Sequence, residues 1–562
     1  MRAPLKKHAS IIAMLLLATM LAGCAQPTPT PAPSPAPKEA EPTKDTRATL
    51  IFAERDDPVW LNPILEKAGQ DTRNNRLMFD SLFNLDENNQ IVPKLATSYT
   101  ISEDGMEYTV KLHENAKWHD GTPVTADDVV FTFMAHMHPK VPSRYKTELW
   151  ALMGYAEITD TKNPRPFSDF NPVVAVDKHT VKFRLSQPYA PFLMISLVQR
   201  LIVPKHLLEK DLENMEQSEF NQKPVGSGPF KLVQWKRDEA LFYEAFDDYH
   251  LGKPGLKGVV YRIIPDVTVQ GLELEKGTVH GMGVTTLEMF TKFDEHPDIN
   301  AITTPATGYS TIQFICDHPL WADKRVRQAI AYGIDKERAV REYLGPLGTV
   351  AWSPIPPVRG WAHNPNIKPY PYNPSKAMQL LNEAGWRLDD KGVLRNQKGE
   401  PFEFELGTFV GVERAFMNVI FQENLRHLGI NAKVATRASA EQMYIMYDAK
   451  GPDVTFINWG MPLDPDPEMW RRHHSSEMAY NNYYNWSHPR MDELLELGRA
   501  ETDQDKRQQY YWEMQEILHE ELPGLVVFWR AGMMAFRKNV KGYRLASGSG
   551  WLAFINEVSM DP

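Results

Sequence analysis

Seven prolines between Pro27 and Pro42 decide where this chain can begin to fold. They alternate mostly with Thr, Ala and Ser, which favours extended polyproline geometry. That geometry has no internal hydrogen bonds and cannot pack a core. Residues 25–47 therefore read as a semi-rigid tether, and a packed fold is expected only from Ala48 onward.

Ahead of the tether lies an address. Arg2, Lys6 and Lys7 form a positive start, and Ile11 to Met20 form an apolar stretch too short to span a bilayer comfortably. Leu21-Ala22-Gly23-Cys24 then places small residues before a cysteine. This resembles a bacterial lipobox. The resemblance implies a signal peptide over 1–24, acylation of Cys24, and a domain tethered to the outer side of the cell membrane.

Composition narrows the body of the chain. Its 562 residues suffice for several domain-sized units. The formal charge of -10 argues against a nucleic-acid partner, which would call for a basic face. Mean hydropathy of -0.43 argues against a multi-span membrane protein. Cys24 and Cys316 are the two cysteines, too few for a disulfide framework or a cysteine zinc site. Cys316 follows a mostly apolar run and reads as a buried, inert thiol.

The periodicity predicts a mixed α/β fold. Strands are expected at Thr49–Ala53, Tyr108–Leu112, Val259–Ile264 and after Gly429. Helices are expected at Arg73–Leu85, Arg325–Ile334, Pro374–Ala384, Arg414–Leu428 and Gln504–Glu521. Thr125 and Asp128 form a capping box ahead of a helix over Val129–His136. No dinucleotide, phosphate-loop, zinc-protease or nucleophile-elbow motif is present, no internal repeat is found, and nothing calls for a cofactor.

Four segments, in order, carry a resemblance. They are Lys117-Trp118-His119-Asp120-Gly121-Thr122-Pro123 with Val124 to Val129, Pro224-Val225-Gly226-Ser227-Gly228-Pro229-Phe230, Asp323-Lys324-Arg325-Val326-Arg327-Gln328-Ala329-Ile330, and Asn373-Pro374 through Trp386. Together they resemble the family 5 extracellular solute-binding proteins, the oligopeptide, dipeptide and nickel receptors of ABC importers. The resemblance implies a two-lobed periplasmic-binding-protein type II (cluster C) fold with an extra domain in the first lobe. It places domain I at 48–91, 201–304 and 525–562, the extra domain II at 92–200, and domain III, the second lobe, at 305–524. It implies a monomer that captures a short peptide by hinge closure and delivers it to an ABC permease, and no enzymatic activity.

The same resemblance points to ligand-contacting residues. Trp459-Gly460-Met461-Pro462-Leu463-Asp464 is similar to a cleft-facing loop in which peptide-binding members carry an aspartate for the peptide ammonium. Here that position is Pro462, which has neither charge nor N–H. Asp464, two residues on, is the candidate replacement, or else it caps the helix beginning near Glu468. Trp459 is a candidate pocket wall. Arg73 and Asn74, read as a loop before the first helix, are candidates for polar contact, with Arg73 able to fork a carboxylate. Tyr309 and Trp352 are placed near the cleft. His473 and His474 are metal ligands only if the solute is a nickel or metallophore complex. That, or a polar solute such as an oligosaccharide, is the second reading. A hydrolase using Asp464 and Asp466 as paired acids is a remote third.

Overall fold

The computed structural model describes residues 45–438, 453–478, 481–545 and 550–561. Cys24, the signal segment and most of the tether lie outside the described residues. The fold is that of the unit Thr46–Pro562.

Two large sheets organise it. The first has seven strands in the order Ile299–Thr304, Gly532–Arg537, Gly281–Gly283, Thr49–Glu54, Gly258–Ile263, Ala240–Ala245 and Phe230–Lys236. Thr49–Glu54 is central and runs parallel to both its neighbours. The second has six strands in the order Gly348–Val350, Gly524–Arg530, Gly308–Gln313, Val454–Gly460, Glu403–Phe409 and Asn431–Arg437. A four-stranded antiparallel sheet (Ala96–Ile101, Glu107–Leu112, Thr180–Arg184, Val173–Asp177) forms within the segment expected to be the extra domain.

The chain passes between the two large sheets twice. It leaves the seven-stranded sheet after Thr304 and enters the six-stranded one at Gly308. The return differs from expectation. Leu525 does not begin domain I, because Gly524–Arg530 pairs with Gly308–Gln313 in the second sheet. The crossing comes at Ala531, and Gly532–Arg537 then joins the first sheet. The apolar run Leu525–Trp529 is buried in the second core and cannot leave it without exposing that surface.

Most helices form where local signals put them. Thr125 and Asp128 cap Ala126–Met137 reciprocally. Asp323 accepts the Arg325 N–H ahead of Lys324–Gly333. Asp503 accepts two N–H groups ahead of Gln504–Glu521, which ends with Leu522 in a left-handed conformation before Pro523. The first helix is the exception. It spans Gly69–Met78, not Arg73–Leu85. Buried Asp71 collects the N–H groups of Val59, Trp60, Lys67 and Ala68 and starts the helix early. The Gly228 N–H takes the Met78 carbonyl, and Phe83–Leu85 is a strand paired with Ile91–Pro93.

Two of the recognised motifs meet at the end of that helix. The His119 N–H donates to the Gly226 carbonyl (2.7 Å). His119 Nδ1 accepts the Gly226 N–H (3.1 Å), so its proton sits on Nε2 and donates to the Gly228 carbonyl (2.9 Å). A Cβ added at Gly226 would lie 1.8 Å from the Met78 carbonyl oxygen. Glycine is required there by close approach of two backbones. Gly226→Ala is expected to cost about 3 kcal/mol, the upper part of the usual overpacking range, because backbone cannot swing aside as a side chain can. Urea midpoints would check this; a cost below about 0.5 kcal/mol would contradict the contact.

Candidate functional site

A cavity of about 1160 Å³ lies where the first sheet, the second sheet and the segment 92–200 converge. Phe52 to Asp56 and Gly532 to Met534 come from the first sheet, Trp459 to Leu463 extend from the second, and Arg144, Tyr145 and Ile195 come from the third region. Thr304, Pro305 and Thr307 on one crossing segment also line it.

The loop after Gly460 is held from two sides. The Met461 N–H donates to the Thr307 carbonyl (2.8 Å), and Arg359 Nη2 donates to the Met461 carbonyl (2.5 Å). The Trp459 ring has the Arg472 guanidinium 3.6 Å over one face, and Tyr483 stacks on it at 5.9 Å between centroids. Arg472 is itself fixed by Glu468 (2.8 Å), so the tryptophan has a rigid cationic support. Trp459, Gly460 and Met461 line the cavity together with Pro462.

Asp464 is placed elsewhere, and the ammonium-anchor role expected for it is overturned. Both its oxygens are taken by Arg507 (2.8 and 3.0 Å), and Oδ1 also accepts the Asp466 N–H at the first turn of the helix Asp466–His473. The side chain is buried and does not line the cavity. Asp466 is fully buried and forked by Arg499 (3.1 and 3.1 Å). Burial pushes its carboxyl up, and Arg499 opposes that. Two carboxylates each committed to an arginine are not a hydrolytic acid pair.

Arg73 lines the cavity, yet its fork is occupied. Nε and Nη2 both donate to buried Glu54 at 2.6 Å. It lies inside the first helix, as does Asn74, so the loop expected there is absent. Asn74 is buried, accepts the Tyr243 hydroxyl (2.5 Å) and donates to the Gln70 carbonyl (2.8 Å). It holds structure and does not reach the cavity.

Tyr309 and Trp352 border a separate cavity of about 20 Å³, room for one water, along with His473. Tyr309 is buried and donates to Glu468 (3.4 Å); Trp352 Nε1 donates to the Asn364 carbonyl (3.1 Å). His473 is buried, bonds the Met469 carbonyl and stacks on Tyr484; burial pushes it down to about 3. His474 stacks on Trp470 at 3.8 Å. Neither histidine lines the large cavity, so the expected role as metal ligands there has no geometric basis. Cys316 is half-buried, and burial pushes its thiol up to about 12, in keeping with an inert cysteine.

Several wall residues were invisible to sequence reasoning. Tyr145 donates to Glu66 (2.8 Å), and Arg200 lies 3.9 Å over its ring while pairing with Glu148. Arg76 is half-buried beside them. Arg359 sits in a short irregular turn after Pro356 and Pro357, where no periodicity marks which side chain points inward.

The segment 92–200 also clasps the second sheet's helices. Tyr189 donates to Asp466 (3.2 Å), and the Ala190 N–H donates to the Arg499 carbonyl (3.1 Å). The Arg499 guanidinium lies between Trp150 (4.7 Å) and Trp470 (3.5 Å).

A sequence model of bacterial extracellular solute-binding proteins, family 5, matches residues 90–480. Among curated relatives, the oligopeptide-binding protein AppA of Bacillus subtilis is 28% identical over 503 residues, covering 88% of each chain. Among solved structures, NikZ from Campylobacter jejuni in complex with Ni(L-His) is 28% identical, with a TM-score of 0.73 over 91% of this chain and 99% of that one. AppA from B. subtilis in complex with a nonapeptide is 27% identical, with a TM-score of 0.72 over 92% and 99%.

Proposed function

The chain belongs to the family 5 bacterial extracellular solute-binding proteins, and on that premise we propose that it is the receptor of an ABC importer, capturing a short peptide in the large cavity by closure of two lobes. The observation that carries this reading is the cavity itself. At about 1160 Å³ it exceeds the roughly 300–1,000 Å³ of ordinary small-ligand pockets. Its wall also offers a strand edge. Among the described residues, Val454–Gly460 pairs with Gly308–Gln313 from Thr455 to Gly460, but on its other side only at Val454 and Thr455. Beyond the Phe456 carbonyl, which accepts the Thr408 hydroxyl (2.7 Å), the edge leading to Trp459 and Gly460 suits main-chain hydrogen bonding to an extended peptide, which tolerates varied side chains. AppA, bound to a nonapeptide, supports the same reading.

Closure follows from differential contact. A molecule touching both the first-sheet wall and the Trp459 loop stabilises the closed state by whatever it gains from the second set of contacts. The lipobox-like start supports acylation at Cys24 and a site of action outside the cell membrane, with the proline tether as spacer. Among the described residues no helix is long and apolar enough to cross a membrane. The protein acts as a receptor and not as an enzyme, and its protein partner is a permease. The pairing of Gly524–Arg530 with Gly308–Gln313 supports a second lobe running from 305 to 530, and the four-stranded sheet supports an extra domain over 92–200.

A nickel-complex receptor is the weaker reading, since no histidine lines the cavity among the described residues. Native mass spectrometry of the protein purified without denaturation tests the two. The expected result is a ladder of masses that fragment as peptides. A single non-peptide mass or a nickel isotope pattern would overturn the peptide reading.

A further inference from the structure

The cavity wall is cationic in an anionic protein. Among the described residues seven arginines line it against four carboxylates, an excess of three positive charges in a chain of formal charge -10. The carboxylates are largely spoken for. Glu54 is forked by Arg73, Glu148 pairs with Arg200, and Glu468 pairs with Arg472. Asp56, exposed, is the remaining one. Among the described residues the wall therefore holds no buried acid free to take a ligand's ammonium.

The arginines are not balanced in the same way. Arg359 is only 6% exposed. Its Nη2 donates to the Met461 carbonyl, its buried Nε has no acceptor, and it has no ion-pair partner among the described residues. Burial pushes its guanidinium down to about 10, with Asp464 opposing, so it remains charged at neutral pH. A buried, unpaired cation with an unused donor is costly, and the cost is offset when an oxoanion reaches it. Guanidinium geometry favours a carboxylate, which can accept two parallel N–H bonds.

We propose that Arg359 anchors a carboxylate of the captured molecule, and that the cavity selects ligands carrying more negative than positive charge. The proposal rests on the receptor reading above and gives it a substrate class. The carboxylate has two possible sources, the α-carboxylate of a peptide or an acidic side chain.

Calorimetric titration of the full-length protein separates them. The probes are the tetrapeptide Gly-Glu-Glu-Ala, its C-terminal amide, Gly-Gln-Gln-Ala, Gly-Lys-Lys-Ala and, as a non-peptide acid, tricarballylate. Gly-Glu-Glu-Ala is expected to bind at least tenfold more tightly than Gly-Lys-Lys-Ala. Arg359→Gln, which keeps a donor for Met461, is expected to weaken Gly-Glu-Glu-Ala at least tenfold, and Arg359→Lys less. Loss reproduced by amidation assigns the α-carboxylate to Arg359; loss reproduced by Gly-Gln-Gln-Ala assigns the side chain. Equal binding of the acidic and basic peptides, or an unchanged affinity in Arg359→Gln, overturns the proposal. Should no tetrapeptide bind while tricarballylate binds in an Arg359-dependent way, the peptide reading fails and the anchor stands. Should nothing acidic bind, both fail. A thermal midpoint for each variant close to that of the parent protein shows that the fold is intact.

Discussion

Replacing Arg507 with methionine is expected to destabilise the protein by about 3–5 kcal/mol, the usual loss when one member of a buried ion pair is removed. Arg507 is held by Asp464 through two bonds and by the Gly498 carbonyl at 2.8 Å, with its guanidinium 4.7 Å over Trp361. Truncation leaves Asp464, only 4% exposed, without its counter-charge. Removing both charges together, as Asp464→Leu with Arg507→Met, is expected to recover most of the loss, since a buried pair repays little more than its own desolvation. Urea unfolding of the two single variants and the double variant measures the coupling. A single-variant cost under about 1 kcal/mol would mean that Asp464 faces water in solution, and would reopen its expected role at the ligand. The structure instead implies that Asp464→Asn, wherever it remains folded, binds peptide as well as the parent protein does.

Between pH 6.5 and pH 4 the protein is expected to lose several kcal/mol of stability. Histidines kept neutral by burial are responsible, and three of them are shifted furthest. Burial pushes His119 down to about 4 and His473 to about 3, and holds His136, also facing Arg200 and Lys146, well below its ordinary value. Each is neutral in the fold, whereas the unfolded chain takes up a proton near pH 6.5. The unfolded state therefore binds more protons as pH falls. Stability is fully present above pH 6.5 and is lost as pH drops toward the folded values. Each such histidine contributes a slope of about 1.4 kcal/mol per pH unit, so these three contribute about 4, and His113, His138, His250, His280, His363 and His519, also lowered by burial, add to it in the same direction. Carboxylates with lowered values act lower down, whereas Asp128 and Asp466, raised by burial, oppose the loss. Asp389, held to about 2 first by its bond from Arg395, matters only below its ordinary 3.8. His119→Gln is expected to remove about 1.4 kcal/mol per pH unit of that slope while keeping a donor for the Gly228 carbonyl. Urea midpoints collected at half-unit steps would show this. A flat profile from pH 6.5 to 4.5 would mean that these rings are hydrated in solution.

The same residues show how far the chain can be read without its fold. His119 and Gly226 stood out as parts of two motifs, and their composition marked turns. That the two turns are hydrogen-bonded to each other, across more than a hundred residues, had no local signature. Asp464 drew attention because it lies beside Pro462. Its partner Arg507 sits 43 residues later on another helix. Arg73 carried the right chemistry for a carboxylate but is satisfied by Glu54 from the adjacent strand. Arg359 carries the same chemistry without a sequence signal, because an irregular turn has no periodicity to say which way a side chain points.

Sequence alone determined the α/β class, most helix bounds and the family. These rest on signals that act within a few residues, such as caps, turn glycines and alternating burial, or on motifs repeated intact from relatives. Tertiary structure alone decided which charges are free. An ionic side chain's role depends on the nearest opposite charge in space, and in this chain those partners come from different sheets. It moved the second crossing to Ala531, took Asp464 out of the site, and left Arg359 in the wall without a counter-ion among the described residues.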